Sequence, residues 1–252
     1  MTRLPDRRFG GLDRLFGLTA AERIRNAHVA VIGIGGVGSW TAEALARSGV
    51  GRLTLVDFDQ VAESNINRQI HAVQASLGQA KVVAMRERIL SFFPECEVTC
   101  VEAFAEPDNW PAILPAGIDA VIDACDQTRA KTAIASWAKK TSAMHVMVGA
   151  AGGKRCAEKI AVADLLEVSH DPLLAKVRYQ LRKEFAVTGV QKKLGITCVY
   201  SPEAVAPPDD SCGVTGDGSL NCHGFGSLVT VTASFGLCAA GVILNKLGSA
   251  RA

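Results

Sequence analysis

Short apolar runs alternate with helix-patterned stretches along roughly the first 150 residues. His28–Ile32 (HVAVI) leads into a glycine-rich loop, and a helix-compatible stretch follows from Val37 to Ser48. Leu53–Val56 is a second apolar run, closed by Asp57 and followed by a polar loop from Asp59 to Gln69. Val82, Val83, Met85, Ile89 and Leu90 recur at helical spacing within Gln79–Phe92, and Pro94 stops that pattern. Val98–Val101, Ala120–Ile122 and Val146–Val148 are further strand candidates, with helical pieces around Asn109–Leu114 and over Arg129–Thr141. Extended runs alternating with helices predict βαβ units, so the fold class is α/β: a Rossmann-like, mainly parallel sheet flanked by helices.

Beyond residue 153 the rhythm changes. Lys159–Ala163 and Ile196–Tyr200 read as two more strands, and between them Asp171–Phe185 reads as a basic helix opened by Asp-Pro. Residues 201–226 are rich in proline and glycine and read as a flexible loop. Residues 225–244 then run without a charge for about the length of a membrane span. Ser227, Thr230, Thr232, Ser234 and three glycines dilute that apolarity, so a buried or subunit-interface helix is expected and a membrane helix is the alternative. The organisation is a single domain over 1–252, with a nucleotide-binding part at 1–153 and a substrate or dimer lobe at 154–252 that ends in this apolar helix.

Composition narrows the setting. With 252 residues, 48% apolar and a net charge of +2, the chain is ordinary globular material, and its overall charge selects no partner such as DNA. Its eight cysteines include no CxxC pair, which argues against a zinc ribbon. MTRLPDRRFGGLDRLFG is basic but lacks the apolar stretch of a secretory signal. A reduced, cytoplasmic location without disulfides is expected.

Three constellations carry chemistry. Gly33-Ile-Gly35-Gly36-Val-Gly38 follows a strand and opens a helix: Gly33 permits the tight turn, Gly35 admits a phosphate, and Gly38 lets helix and strand pack closely. A glycine turn without a ligand is the plainer alternative. Asp57 lies 19 residues after Gly38, where a carboxylate meets a ribose hydroxyl. Taken alone, these features suit an NAD-dependent oxidoreductase. The run Asp57-Phe-Asp59…Asn65-Ile-Asn67-Arg68-Gln69, with Lys81 beyond it, suits triphosphate cleavage better. Arg68 and Lys81 can clamp a departing pyrophosphate, and Asn65 and Gln69 can orient it; solvated surface charge is the alternative. The third constellation is Asp123-Ala-Cys125-Asp126-Gln127, at a strand's carboxyl end, where Asp126 can hold magnesium or merely cap the next helix.

The motifs GIGGVGS, VDFDQVAESNINRQ, Lys81 and DACDQ together resemble those of the ubiquitin-activating-enzyme-like adenylyltransferases. That resemblance implies an enzyme, usually a homodimer, that binds ATP and magnesium and adenylates a carboxylate. It implies that Gly35 and Gly36 line the nucleotide, Asp57 and Asp59 contact the ribose or its surroundings, Arg68 and Lys81 handle phosphates, and Asp126 lies near the metal. RRFGGLDRLFG, HDPLLAKVRYQLRKE, GITCVYSPE and GSLVTVTASFG extend the resemblance over nearly the whole chain. They are similar to segments of family members that activate the carboxylate of threonylcarbamoyladenosine in tRNA and close it to a ring with net loss of water. A sulfurtransferase-system partner belongs to the same expectation.

The residues agree in part. Lys176, Arg178, Arg182, Lys183, Lys192 and Lys193 stand against one acid, Glu184, and can contact tRNA phosphates; a solvated helix face is the alternative. One departure concerns the N-terminal arginine that relatives place near a partner subunit's phosphates. Arg8-Phe9 matches the start of that segment, but Gly11 stands at the expected arginine, leaving Arg8 or Arg14 to substitute. Cys212 and Cys222 are candidate reactive thiols, and His223 sits in a loop that can close over substrate; unreactive roles are the alternative for these and for His71. Rival functions are adenylation of a ubiquitin-like or sulfur-carrier protein, an NAD-dependent oxidoreductase, and a catalytically dead scaffold.

Overall fold

In the computed structural model, which describes residues 7–189, 191–209 and 225–249, the strands are β1 (His28–Ile32), β2 (Arg52–Val56), β3 (Glu97–Val101), β4 (Ala120–Asp123), β5 (Met144–Val148), β6 (Ala161–Asp164) and β7 (Thr197–Tyr200). They form one sheet in the order β3-β2-β1-β4-β5-β7-β6, parallel throughout except for the antiparallel β6–β7 pair. β1 and β4 are buried along their whole length, because helices cover both faces of the sheet. The second part of the chain adds its two strands to this same sheet.

The helices are α1 (Gly10–Phe16), α2 (Leu18–Asn26), α3 (Gly38–Arg47), α4 (Lys81–Phe92), α5 (Thr128–Thr141), α6 (Pro172–Glu184) and α7 (Val229–Ser249). α6 starts as its sequence requires: Pro172 occupies the first turn, and the Asp171 side chain accepts a hydrogen bond from the Leu174 N–H. α7 is the apolar terminal segment. It is long and apolar enough to cross a membrane by composition, yet Val231, Phe235, Ala239, Ala240 and Ile243 are buried in the main core with β1 and α3 residues. Gly236 is the point of closest approach, since a Cβ there would lie 2.5 Å from the Val37 carbonyl. Core packing accounts for the apolarity of this inward face, while Leu237 on the helix stays half exposed.

Three details differ from the sequence reading. Asn109–Leu114 makes turns and no helix, because Pro111 removes an N–H in its middle. Ala157–Lys159 is a 3-10 turn, so β6 begins at Ala161 and not at Lys159. α1 and α2 had no counterpart among the anticipated elements. Most of the 201–226 loop, with Cys212, Cys222 and His223, lies outside the described residues.

Candidate active site

The strand order reverses direction between β1 and β4, and a cavity of about 360 Å³ opens there at the carboxyl ends of the strands. Gly33, Gly35, Gly36, Asp57, Asp59, Asn65, Arg68, Gln69, Lys81 and Asp126 all line it. Residues that stand far apart in the chain are thus brought together as expected. Gly38 alone stands behind the cavity: a Cβ there would lie 1.7 Å from the Gly33 carbonyl oxygen, so its part is to let α3 start against β1. Gly33 has φ +85° and leans on the β4–α5 turn, where a Cβ would meet the Cys125 nitrogen at 2.9 Å. Gly35 faces open space, with room for a ligand above its backbone.

Asp57 is buried, and both its oxygens are engaged. Oδ2 accepts from the Ile34 N–H at 2.6 Å and Oδ1 from the Asp59 N–H at 2.8 Å. Burial raises its pKa, against the opposing pull of Lys81 and the two N–H groups. The carboxylate therefore fastens the glycine loop to the end of β2, a role the sequence did not disclose. Lys81 Nζ pairs with Asp59 Oδ2 at 2.7 Å, and its own N–H bonds the Asp59 carbonyl. Arg68 is held by the Ser64 carbonyl at 2.6 Å and by Asn67 Oδ1 at 2.9 Å, while its buried Nε has no partner among the described residues. Asn65 Oδ1 accepts from the Ala62 N–H, and the buried Gln69 Oε1 is likewise without a partner. The wall thus carries two fixed cations and polar atoms still to be satisfied.

On the β4 side, Asp126 is exposed, and its one side-chain hydrogen bond among the described residues is a weak one from Gln127 at 3.5 Å. Gln127, not Asp126, stands at the N-cap position of α5, and no side-chain capping bond is made there, so capping does not explain Asp126. Beneath it lies a pair that sequence reasoning missed. Asp123 and Lys131, both fully buried, meet at 2.9 Å. Cys125 Sγ donates to the same Asp123 oxygen, and burial together with Asp123 pushes that thiol far up. Cys125 is therefore a neutral donor and no nucleophile. Further wall comes from Ala103–Ala105, from Gly149–Gly152, from Leu173 of α6 and from Thr232 of α7. Asp171 Oδ2 accepts from the Ala150 N–H, and the buried Lys154 donates to the carbonyls of His170, Ser201 and Glu203. Neither lysine lines the cavity, and no spacing rule places them near it; only the packing of β4, β5 and α6 does.

His71 and His145 are buried, and burial, their largest influence, brings both down to about 4 from 6.5. Folding thus excludes protons that the unfolded chain binds, so stability is complete above pH 6.5 and falls as pH drops toward 4. Each histidine should contribute about 3 kcal/mol to that loss. Urea midpoints across pH 4–7 test this, and His71→Gln should flatten the curve.

On α6, Lys176, Arg182 and Lys183 are exposed and unpaired among the described residues. Arg178 differs, since its Nη1 donates to the carbonyls of Leu165 and Val168. These four do not line the nucleotide cavity, although Leu173 at the start of α6 does. At the N-terminus, Arg8 pairs with Glu95 at 2.9 Å, and Arg14 is exposed.

The sheet order, the glycine turn and a cationic wall facing it define a nucleotide-binding protein of the Rossmann type. The chain belongs to the ThiF family, whose model matches residues 11–249. It is 43% identical over 249 residues to the tRNA threonylcarbamoyladenosine dehydratase of Escherichia coli, covering 95% of this chain and 93% of that one. It is 40% identical over 244 residues to the enzyme of that name from Haemophilus influenzae, covering 96% and 94%. The crystal structure of the E. coli enzyme in complex with ATP superposes with a TM-score of 0.85, covering 95% of this chain and 93% of that one.

Proposed function

We propose that this chain uses ATP to activate the carboxylate of threonylcarbamoyladenosine in tRNA and closes it to a ring, a net dehydration. The observation that carries this reading is the cavity at the β1–β4 crossover, which sets Arg68, Lys81 and Asp126 around a glycine turn in a chain similar end to end to such dehydratases.

ATP lies with its phosphates over Gly35 and Gly36, and Asp57 fixes that loop while Asp59 meets the ribose. The carboxylate oxygen attacks the α-phosphorus, the bond to the bridging oxygen breaks, and pyrophosphate leaves. Arg68 and Lys81 stabilise the charge that grows on it. A nucleophile within the same modified nucleoside then attacks the acyl carbon, and AMP departs. Holding both groups in one nucleoside makes that second step intramolecular, so it needs no nucleophile from the protein. Magnesium fits: Asp126 is an exposed carboxylate with no strong partner, and this ion keeps waters and phosphates alongside one or two carboxylates. When bound, the ion neutralises charge across the phosphates.

A second copy of the chain belongs to this reading. Arg14, exposed and without an ion pair among the described residues, is freer than Arg8 to reach a partner subunit's phosphates, because Arg8 is tied to Glu95. Arg14→Ala is expected to slow AMP formation about tenfold without changing the melting temperature. The setting is cytoplasmic, and a sulfurtransferase-system partner rests on the resemblance alone.

Incubation with ATP, magnesium and threonylcarbamoylated tRNA, followed by nucleoside mass spectrometry, tests the whole reading. The expected result is a nucleoside lighter by one water together with AMP. An unchanged nucleoside rejects the substrate, and pyrophosphate exchange that appears only with a carrier protein moves the activity to that class.

A further inference from the structure

The solvent face of α6 carries an aromatic ring that packing does not explain. Leu173, Leu174, Val177 and Leu181 turn the helix's apolar side inward. Tyr179 points the other way, is 73% exposed, and has no ring contact or hydrogen bond among the described residues. With Ala175, Arg178, Arg182 and Lys183 it lines an open hollow of about 540 Å³. Among the described residues no acidic side chain lines this hollow. The helix's one acid, Glu184, is turned to α5, where its carboxylate accepts from Ser136 and Lys140. Arg178 is fixed by two backbone carbonyls, which makes one wall of the hollow rigid.

Position gives the hollow its meaning. Leu173 lines the nucleotide cavity, and Tyr179 stands six residues further along the helix, about 9 Å at the α-helical rise. The ring is turned about 120° around the axis from Leu173 and looks out beside the cavity, where nucleotides flanking the modified adenosine can pass. An aromatic face beside cations suits an unpaired base, whose flat surface stacks while its phosphates meet the charges.

We propose that Tyr179 is a stacking platform for an unpaired tRNA base next to the modified adenosine, with Arg182 and Lys183 holding the flanking phosphates. This rests on the tRNA reading above. The ring is largely exposed and makes no ring contact or hydrogen bond among the described residues, so its replacement should cost little stability, and stacking is distinguishable from charge by its salt dependence. Charge contacts release counterions and set the slope of log K against log salt, whereas stacking does not.

The test is tRNA affinity across a salt series for the full-length wild type and three variants. Tyr179→Ala should weaken binding about 5- to 100-fold at every salt concentration with an unchanged slope. Tyr179→Trp should bind as wild type or better, and Lys183→Ala should lower the slope by about one. The KM for ATP should stay the same in Tyr179→Ala. If Tyr179→Ala binds like wild type while Lys183→Ala loses slope, the stacking role is overturned and the charge role stands. If wild type shows no salt-dependent tRNA binding, the tRNA reading itself fails.

Discussion

Arg68→Ala is expected to lower ATP-dependent AMP formation about a hundred- to a thousandfold while leaving the fold intact, the range seen when one donor to a developing negative charge is removed. The side chain is pre-aimed. The Ser64 carbonyl and Asn67 hold one end of its guanidinium, and a buried Nε is left over in the cavity wall. Its aliphatic stem runs beneath the glycine turn, where a Cβ on Gly36 would lie 3.2 Å from Arg68 Cγ. A cation so fixed needs no rearrangement when pyrophosphate departs. The expected pattern is a large fall in kcat with a small change in the KM for ATP, since charge on the leaving group exists mainly in the transition state. Arg68→Lys should recover little, because a single ammonium cannot bond Ser64, Asn67 and phosphate together. An unchanged kcat with a raised KM would instead make Arg68 a ground-state binder. Lys81→Ala should be milder, since Lys81 already shares its charge with Asp59.

Much of this site was legible in the sequence, for a definite reason. A glycine turn between a strand and a helix, and charged residues just past strand ends, are local patterns, and parallel-sheet topology converts them into a shared cavity. Ten of the eleven residues read as cofactor- or metal-binding line it, and the exception, Gly38, performs the packing role read for it. What escaped depends on pairing across the fold. Asp57 stood where a ribose contact was expected, but nothing local reveals that both its oxygens accept backbone N–H groups of Ile34 and Asp59. Lys131 looks like one more surface lysine on a helix of mixed character, and only the approach of α5 to the end of β4 buries it. α1 and α2 were missed because the glycines at 10, 11 and 17 break the helical pattern there, while tertiary contacts such as Phe9 on Phe93 override weak propensity.

Lys131→Met is expected to cost about 3–5 kcal/mol of stability, the usual penalty for leaving a buried charge without its partner. Asp123 and Lys131 are both fully buried, and the pair is joined by Cys125, whose N–H and thiol reach the same Asp123 oxygen. Burial alone would lower the lysine's pKa, but Asp123 above all holds it above its ordinary value, so the ammonium is kept. Methionine fills the volume and removes the charge. The second oxygen of Asp123 already has no partner among the described residues, so the carboxylate has little else to turn to. Asp123→Asn should be destabilising in the same way, by stranding the ammonium. The double variant should recover a large part of the loss, and a thermodynamic cycle from urea denaturation measures this coupling. Additive single effects below about 1 kcal/mol would rule out an ion pair of this importance. The cost should extend to catalysis. The β4–α5 turn stands on this pair and carries Asp126 on its upper side, and Gly33 leans against it at Cys125. A looser turn shifts Asp126 and the glycine loop together, so a folded Lys131→Met enzyme should show a raised KM for ATP even under conditions where its stability is not limiting.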